Sequence, residues 1–236
     1  MSGAAQSSIG PVAIVQARMS SARLPGKILM PVKGKPILGY LVDSLRRSSQ
    51  LRDIVLATSK DRSDDPVEMF CRKEDIRCIR GPLEDVAGRF LETIDEFGID
   101  DFVRVNGDSP LLDYHLVDRA VELFTAGENE IVTNTLKRSF PKGQSVEVVN
   151  ASAFRKAYGL MKDDADHEHV TRYFYMHPGD FRICNFSAKK DYSGVQLSVD
   201  SPDDMRKFKI LISAMTRSHW EYRYEELVDM ISSIDN

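Results

Sequence analysis

Short runs of β-branched and other apolar residues alternate, from Val12 onward, with longer segments in which apolar residues recur at helical spacing. This alternation is typical of a sheet with helices on both faces, and helices of this length can connect parallel strands by right-handed crossovers. We therefore predict an α/β fold with a mostly parallel sheet. Its first elements are strands Val12–Ala17, Asp53–Thr58, Arg77–Arg80 and Phe102–Asn106, and helices Pro36–Arg47, Asp65–Lys73, Val86–Phe97 and Tyr114–Thr125.

The pattern changes after Thr135, where a segment containing proline and glycine interrupts the alternation. We interpret residues 136–190 as a small inserted lobe outside the main sheet, and the residues that follow as a return to the core. The predicted elements of this second half are strands Ser145–Asn150 and Val195–Asp200 and helices Ala151–Met161, Pro202–Thr216 and Tyr224–Ser232.

Length and composition indicate one globular domain. With 236 residues, 42% of them hydrophobic, the chain can form one substantial core, and we expect a flexible tail at residues 1–10 and a single domain over residues 11–236. The 32 basic and 36 acidic residues give a net charge of −4, which argues against a nucleic-acid partner. Neither a signal peptide nor an apolar stretch of roughly 18 residues is present, so we expect a cytoplasmic protein with no membrane partner.

The loop after the first predicted strand has the chemistry of a phosphate-binding segment. Small residues allow backbone N–H groups to face an anion, two serines add donors, and three cations add positive charge. The loop also follows the carboxyl end of a strand, where open α/β sheets bind ligands. It differs from the P-loop of NTPases because Ile28 follows the Gly-Lys pair, and a basic surface loop is the alternative interpretation. The residues concerned are Ala17, Arg18, Ser20, Ser21, Arg23 and Lys27.

The segment QARMSSARLPGKILMPVKGKPIL resembles the opening motif of the sugar-activating cytidylyltransferases, the Kdo and acylneuraminate enzymes. It is most similar to the spore-coat polysaccharide cytidylyltransferase-like branch, and the likeness extends from about Val12 to Arg206. The resemblance implies a three-layer α/β/α, Rossmann-like nucleotidyltransferase fold with a small lobe for dimerisation or acceptor binding. It also implies Mg²⁺-dependent transfer of CMP from CTP to an acidic sugar, with release of pyrophosphate, for cell-surface polysaccharide synthesis. Arg18 and Lys27 would then be catalytic cations on the triphosphate, supported by Arg23.

Two aspartates lie where predicted strands meet turns, Asp108 in VNGDSP and Asp200 in VDSP. Each, taken alone, is also a good turn former or helix cap. Mg²⁺ prefers hard carboxylate oxygens, and nucleotidyl transfer needs its charge. The family carries its metal ligands in matching motifs, so the resemblance implies that Asp108 and Asp200 bind Mg²⁺ and that Asp108 also acts in catalysis. Asn106 stands where relatives often have glutamine and is a nucleotide-contact candidate.

Further motifs resemble the parts of the family that bind the base and the acceptor. Thr58, Ser59 and Gly81 would lie near the nucleobase, and we expect Asp85 and Arg89 to form an i,i+4 ion pair. The candidates for acceptor binding come from PKGQSVEV and HEHVT, and Glu168 and His169 have a subunit contact as their alternative role. A zinc site in HEH is disfavoured because two histidines two residues apart diverge on a helix. The acceptor candidates are Gln144, Glu147, Glu168 and His169.

Two other functions remain open at the level of the sequence. A nucleotide-sugar-dependent glycosyltransferase of polysaccharide biosynthesis would use the aspartates for a metal, although it needs fewer cations than the Arg18–Lys27 loop offers. A non-catalytic nucleotide-binding scaffold would be expected to lack Lys27, Asp108 or Asp200, and all three are present. The acceptor stays open among Kdo-like acids, nonulosonic acids and smaller phosphorylated or phosphonylated acids. The resemblance implies a homodimer that uses residues 136–190.

Overall fold

The computed structural model describes residues 10–235, apart from the side chain of residue 235, so most of the tail expected at residues 1–10 lies outside the described residues. A seven-stranded sheet in the order β5-β4-β1-β6-β8-β7-β9 forms its centre, and β2 and β3 form a separate small hairpin. Strand β8 is antiparallel to β6 and β7, and the other pairings of the sheet are parallel. The strands are β1 Val12–Gln16, β2 Pro31–Val32, β3 Lys35–Pro36, β4 Asp53–Ser59, β5 Arg77–Gly81, β6 Asp101–Asn106, β7 Ile131–Thr133, β8 Glu147–Asn150 and β9 Ile183–Asn185.

Helices cover both faces of the sheet, which confirms the predicted three-layer α/β/α class. Among residues 10–235, no helix is long and apolar enough to cross a bilayer. The α-helices are α1 Ile37–Leu45, α2 Asp65–Lys73, α3 Val86–Phe97, α4 Tyr114–Ala126, α5 Ala151–Tyr158, α6 Asp164–Glu168, α7 Arg172–Met176, α8 Pro202–Ala214 and α9 Tyr224–Asp235, and short 3₁₀ helices are Lys27–Leu29, Arg62–Asp64 and His219–Glu221.

The central strands are buried on both faces. Along β1, Ala13 and Val15 belong to the core beneath α1, α2, α4, α8 and α9, whereas Val12 and Ile14 belong to the core beneath α3, α5 and α7. Successive strand residues point to opposite faces, so a run of apolar residues is what a strand between two helical layers requires. Apart from Arg104 in β6, the polar side chains of β1 and β6 lie at the strand ends, and the site is built at their carboxyl ends.

Two expectations about the second half of the chain are wrong. The segment 136–190 does not lie outside the sheet, because β8 and β9 are two of its strands. The segment Val195–Asp200 is not a strand: it is an extended connection with one isolated bridge, between Lys142 and Gln196. It is held by separate backbone hydrogen bonds, and one of them, from the N–H of Val199 to the carbonyl of Asp108, spans 2.9 Å. That bond brings the two aspartate motifs together without a sheet pairing.

Candidate active site

A cavity of about 440 Å³ lies at the carboxyl ends of β1 and β6. The two strands are parallel neighbours, and their last residues, Gln16 and Asn106, are in register. Parallel strands that end together leave their connecting loops at one edge of the sheet, so residues far apart in sequence meet there. Residues from the predicted site that line the cavity are Ala17, Arg18, Ser20, Ser21, Arg23, Lys27, Asn106, Asp108, Glu168, His169 and Asp200.

The loop from Arg18 to Lys27 is fixed from both ends. Gly26 adopts φ 72°, a left-handed conformation that favours glycine, and its N–H donates to the carbonyl of Met19 at 2.9 Å. The N–H of Met19 donates to Oδ1 of Asp64 at 2.6 Å, and Asp64, which is fully buried, also accepts a hydrogen bond from the N–H of Ser59. Asp64 therefore anchors the loop to the end of β4.

Lys27 joins the two aspartates. Its Nζ lies 2.7 Å from Oδ2 of Asp108 and 2.8 Å from Oδ1 of Asp200, and the residue is only 7% exposed. Arg23 adds a second cation 3.2 Å from Asp200. Burial acts to raise the pKa of Asp200, but the hydrogen bond and charge of Lys27 and the charge of Arg23 outweigh it and lower that pKa. The carboxylate of Asp200 is therefore held ionised at the edge of the cavity.

Asp200 is positioned by the start of α8. Its N–H donates to Oδ2 of Asp204 at 3.0 Å, while Ser201 and Asp204 form a capping box at the first turn of that helix. The turn-forming role suggested for the Asp-Ser-Pro motif is thus carried by Ser201 and Asp204. The side chain of Asp200 faces Lys27 through Oδ1, while its Oδ2 accepts from Nε2 of Gln196 at 3.2 Å.

The donors at the cavity fit a magnesium ion that also contacts phosphates. Within residues 10–235 no three His, Cys, Asp or Glu side chains are arranged to hold a metal ion. Mg²⁺, however, usually takes one or two carboxylates from the protein and completes its shell with water and substrate phosphates. Asp108 and Asp200, gathered within hydrogen-bond distance of one ammonium group, supply that number of carboxylates.

Arg104 is a cavity residue that the sequence analysis missed. Its Nε donates to Oε1 of Gln16 at 3.1 Å, and its Nη1 pairs with the buried carboxylate of Glu147. Glu147 also accepts hydrogen bonds from Thr171, at 2.7 Å, and from Tyr175. Burial opposes ionisation of Glu147, but the charge of Arg104 and these hydrogen bonds hold its pKa below the usual range. An arginine in the middle of an otherwise apolar strand was the available signal.

Two acceptor candidates from one motif do not reach the cavity. Glu147 lies behind Arg104, with its carboxylate occupied by the partners just described. Gln144 is fully buried, and its side chain accepts from the N–H of Asp113 at 2.9 Å and donates to the carbonyl of Leu111 at 2.6 Å. These contacts give Gln144 a bracing function beneath the loop after Asp108.

The residues expected near the base are also buried. Thr58 and Ser59 end β4 and Gly81 ends β5, in register with Ser59, but the cavity surface is formed in this region by Val86 and Arg89 of α3. All three nucleobase candidates therefore lie beneath the surface that a ligand would contact.

The expected Asp85–Arg89 ion pair is wrong. Asp85 caps α3 through the N–H of Gly88 and accepts from Tyr158 at 2.7 Å, and it lies 3.0 Å from Nδ1 of His167. Burial acts to raise the pKa of Asp85, but these partners lower it overall. Arg89 lines the cavity instead.

The segment after β8 closes one side of the cavity. Glu168, the last residue of α6, lies 3.6 Å from the guanidinium of Arg18, with both side chains partly exposed. His169 follows directly and lines the same cavity. The Arg18–Lys27 loop and this segment therefore meet across the opening of the cavity.

Comparison with known proteins agrees with this geometry. A sequence model of the cytidylyltransferase family matches residues 12–231. The spore coat polysaccharide biosynthesis protein SpsF of Bacillus subtilis is 33% identical over 206 residues, which cover 84% of this chain and 84% of that protein. A cytidylyltransferase structure from Leptospira borgpetersenii superimposes with a TM-score of 0.90 at 29% identity, covering 96% of this chain and 95% of the other.

A partial match indicates the chemistry of some relatives. The 8-amino-3,8-dideoxy-manno-octulosonate cytidylyltransferase of Shewanella piezotolerans is 33% identical over 128 residues, which cover 52% of this chain and 51% of that enzyme. The family match spans nearly all of the described chain, and the fold brings the Arg18–Lys27 loop and both aspartates together in one cavity. The chain therefore belongs to the cytidylyltransferase family and is a CTP-dependent nucleotidyltransferase.

Proposed function

We propose that this enzyme transfers CMP from CTP to an acidic sugar in the presence of Mg²⁺ and releases pyrophosphate. One observation carries the proposal: Lys27 lies between Asp108 and Asp200, at 2.7 and 2.8 Å, in a cavity also lined by Arg18 and Arg23. Triphosphate chemistry needs several cations together with carboxylates that can take a metal ion, and this cavity offers both.

Asp108 and Asp200 would hold the ion, which supplies positive charge against the phosphate oxygens when bound. Lys27 then exchanges its carboxylate partners for phosphate oxygens of CTP. Arg18 and Arg23, both partly exposed, are placed to bind the outer phosphates. The buried loop anchor described above keeps these cations in position before CTP arrives, so little reorganisation is needed.

The transfer is a direct in-line displacement. A hydroxyl oxygen of the acceptor forms a bond to the α-phosphorus, the bond from that phosphorus to the bridging oxygen breaks, and pyrophosphate leaves with the electron pair. The carboxylate of Asp108 takes the hydroxyl proton. Lys27, Arg18 and Arg23 stabilise the charge that grows on the leaving pyrophosphate.

An acidic acceptor suits the remaining surface. Arg104 presents a guanidinium at the cavity beside Asn106, and Glu168 and His169 offer partners for sugar hydroxyls. The name of the Shewanella piezotolerans relative describes an octulosonate, which is an acidic sugar. We also expect a cytoplasmic homodimer acting in cell-surface polysaccharide synthesis, in line with the name of the Bacillus subtilis relative. Membership of the cytidylyltransferase family argues against both the glycosyltransferase and the non-catalytic alternatives.

The test is pyrophosphate release from CTP and Mg²⁺ with a panel of acidic sugars and smaller acids, each component being omitted in turn. We expect release only when nucleotide, metal ion and acid are all present. Turnover of a preformed nucleotide sugar with a glycosyl acceptor, in the absence of CTP, would contradict the proposal. Arg155→Ala is a matched control for cation variants, because Arg155 pairs with Asp95 on the surface and does not line the cavity.

A further inference from the structure

Arg89 is a buried cation whose guanidinium has no hydrogen-bonding partner within the described part of the chain. It lies in the second turn of α3, is 1% exposed, and lines the cavity. Its Nε and Nη1 atoms are buried and have no hydrogen-bond acceptor among residues 10–235. A buried guanidinium that makes no hydrogen bonds is costly, so such groups are normally paired. The cavity is the side from which a partner can come.

The neighbouring carboxylates are engaged elsewhere. Asp85 binds Gly88, Tyr158 and His167, and Asp64 binds Met19 and Ser59.

Glu92, the remaining neighbouring acid, lies 3.7 Å from Lys60. Burial, followed by the positive charge of Arg18, lowers the pKa of Arg89 to about 10, while these carboxylates act only as more distant charges in the opposite direction. The guanidinium therefore remains charged near neutral pH, and no carboxylate of residues 10–235 is in contact with it.

Gly81 fixes where the side chain lies. A Cβ atom at Gly81 would come within 2.9 Å of Cγ and 3.0 Å of Cβ of Arg89, so only glycine lets the arginine stem pack against the end of β5. The order of the sheet places β5 and β4 on one side of β1 and β6 on the other. The stem of Arg89 is thus on the opposite side of the phosphate-binding loop from Asp108, which follows β6.

The ligand that fits is determined by hydrogen-bond chemistry. A guanidinium only donates, in a planar fork. The triphosphate of CTP is accounted for by the loop cations and the aspartates, whereas cytosine presents two adjacent in-plane acceptors, N3 and O2. We propose that Arg89 binds the cytosine base through N3 and O2 and selects CTP over UTP, because uracil carries a hydrogen on N3 that would face an N–H donor. The proposal rests on the use of CTP and is independent of which acid accepts CMP.

The first test is binding of CTP and of UTP, each with Mg²⁺, to the wild type, Arg89→Met and the control Arg155→Met. We expect Arg89→Met to weaken CTP binding about tenfold or more and to lose most of the preference over UTP, because the bidentate contact that distinguishes the two bases is removed. The control should bind both nucleotides as the wild type does. Unchanged CTP affinity in Arg89→Met would overturn the proposal.

Stability separates a binding role from a structural one. Removing an uncompensated buried charge should leave the melting temperature of Arg89→Met, measured without nucleotide, equal to or above that of the wild type. A lower melting temperature with unchanged nucleotide binding would show a structural role and refute the proposal. Gly81→Ala is the second variant: it keeps the charge but displaces the stem, and it should also weaken CTP binding.

Steady-state kinetics identify which substrate contacts Arg89. With the acid that the wild type accepts, the KM for CTP should rise in Arg89→Met while the KM for the acid stays unchanged. A raised KM for the acid alone would assign Arg89 to the acceptor's carboxylate and overturn the base contact. If the wild type itself neither binds CTP nor releases pyrophosphate from it, the proposed function fails; if it does both and Arg89→Met behaves identically, only this inference fails.

Discussion

Replacing Lys27 distinguishes two effects of its charge. The ammonium should weaken Mg²⁺ binding to the two aspartates, and it should stabilise the negative charge of the phosphates during transfer. Lys27→Met keeps much of the side-chain length and removes the charge. In the transition state the lost charge should cost about 3–4 kcal/mol, so we expect kcat/KM to fall by roughly two to three orders of magnitude. Lys27→Arg should recover only part of the rate, since a guanidinium differs in shape from the ammonium that fits 2.7 and 2.8 Å from two carboxylates.

Lys27→Met should also strengthen the binding of Mg²⁺. Without Lys27, Asp108 and Asp200 repel one another and the ammonium that contacts both of them no longer competes with Mg²⁺, so the apparent Kd of Mg²⁺ in the absence of nucleotide should decrease. The folded state should lose only about 1–2 kcal/mol, because both carboxylates keep about a quarter of their side-chain surface exposed, 27% and 23%, and can be hydrated.

Three measurements test this reasoning: steady-state rates, calorimetric titration of Mg²⁺, and denaturant unfolding. A variant with wild-type rates would mean that the Arg18–Lys27 loop is only a basic surface loop. A variant that is slow but binds Mg²⁺ more weakly would show that Lys27 organises the carboxylates rather than competing for them. Arg155→Met, a surface cation removed from the cavity, should change none of the three quantities.

Asp108→Asn and Asp200→Asn should each lower kcat by about a hundredfold or more with little loss of folding, and near-normal rates at saturating Mg²⁺ would contradict the metal site. Glu147→Gln should destabilise the fold by about 2–4 kcal/mol in urea unfolding, because Arg104 loses its buried partner. The pKa of Glu147 is depressed in the folded state, so its contribution to stability is present above the unfolded pKa of about 4.3 and is lost as pH falls through the folded value. The difference in free energy of unfolding between the wild type and Glu147→Gln should therefore shrink in acid. A difference that stays constant with pH would refute the assignment. Asp64→Ala should raise the KM for CTP about tenfold by freeing the N–H of Met19, and an unchanged KM would show that the loop does not need this anchor.

The elements of the first half of the chain and the loop motif could be predicted from the sequence because they depend on residues that are close together along the chain. The alternation of apolar runs with segments of helical spacing predicted β1, β4, β5 and β6 and the helices between them. The position of the loop after β1 predicted that a ligand binds at the carboxyl ends of the strands. Elements of three residues, such as β7 and β9, have too few positions for a period to be seen. The segment before Asp200 resembled a strand because it is apolar, but only a sheet partner makes a strand, and its partners are single backbone groups.

The sequence by itself determined the main charged groups at the carboxyl ends of the strands: the cations of the Arg18–Lys27 loop and the two aspartates, all in recognisable motifs. The tertiary structure decided which partner each polar group takes. Asp85 was expected to bind Arg89, four residues away, but Tyr158 and His167, 73 and 82 residues away, bind it instead. Glu147 was expected to face a substrate and is buried behind Arg104. A buried charge binds whichever donors packing brings within about 3 Å, and packing depends on contacts between distant parts of the chain that no local pattern contains.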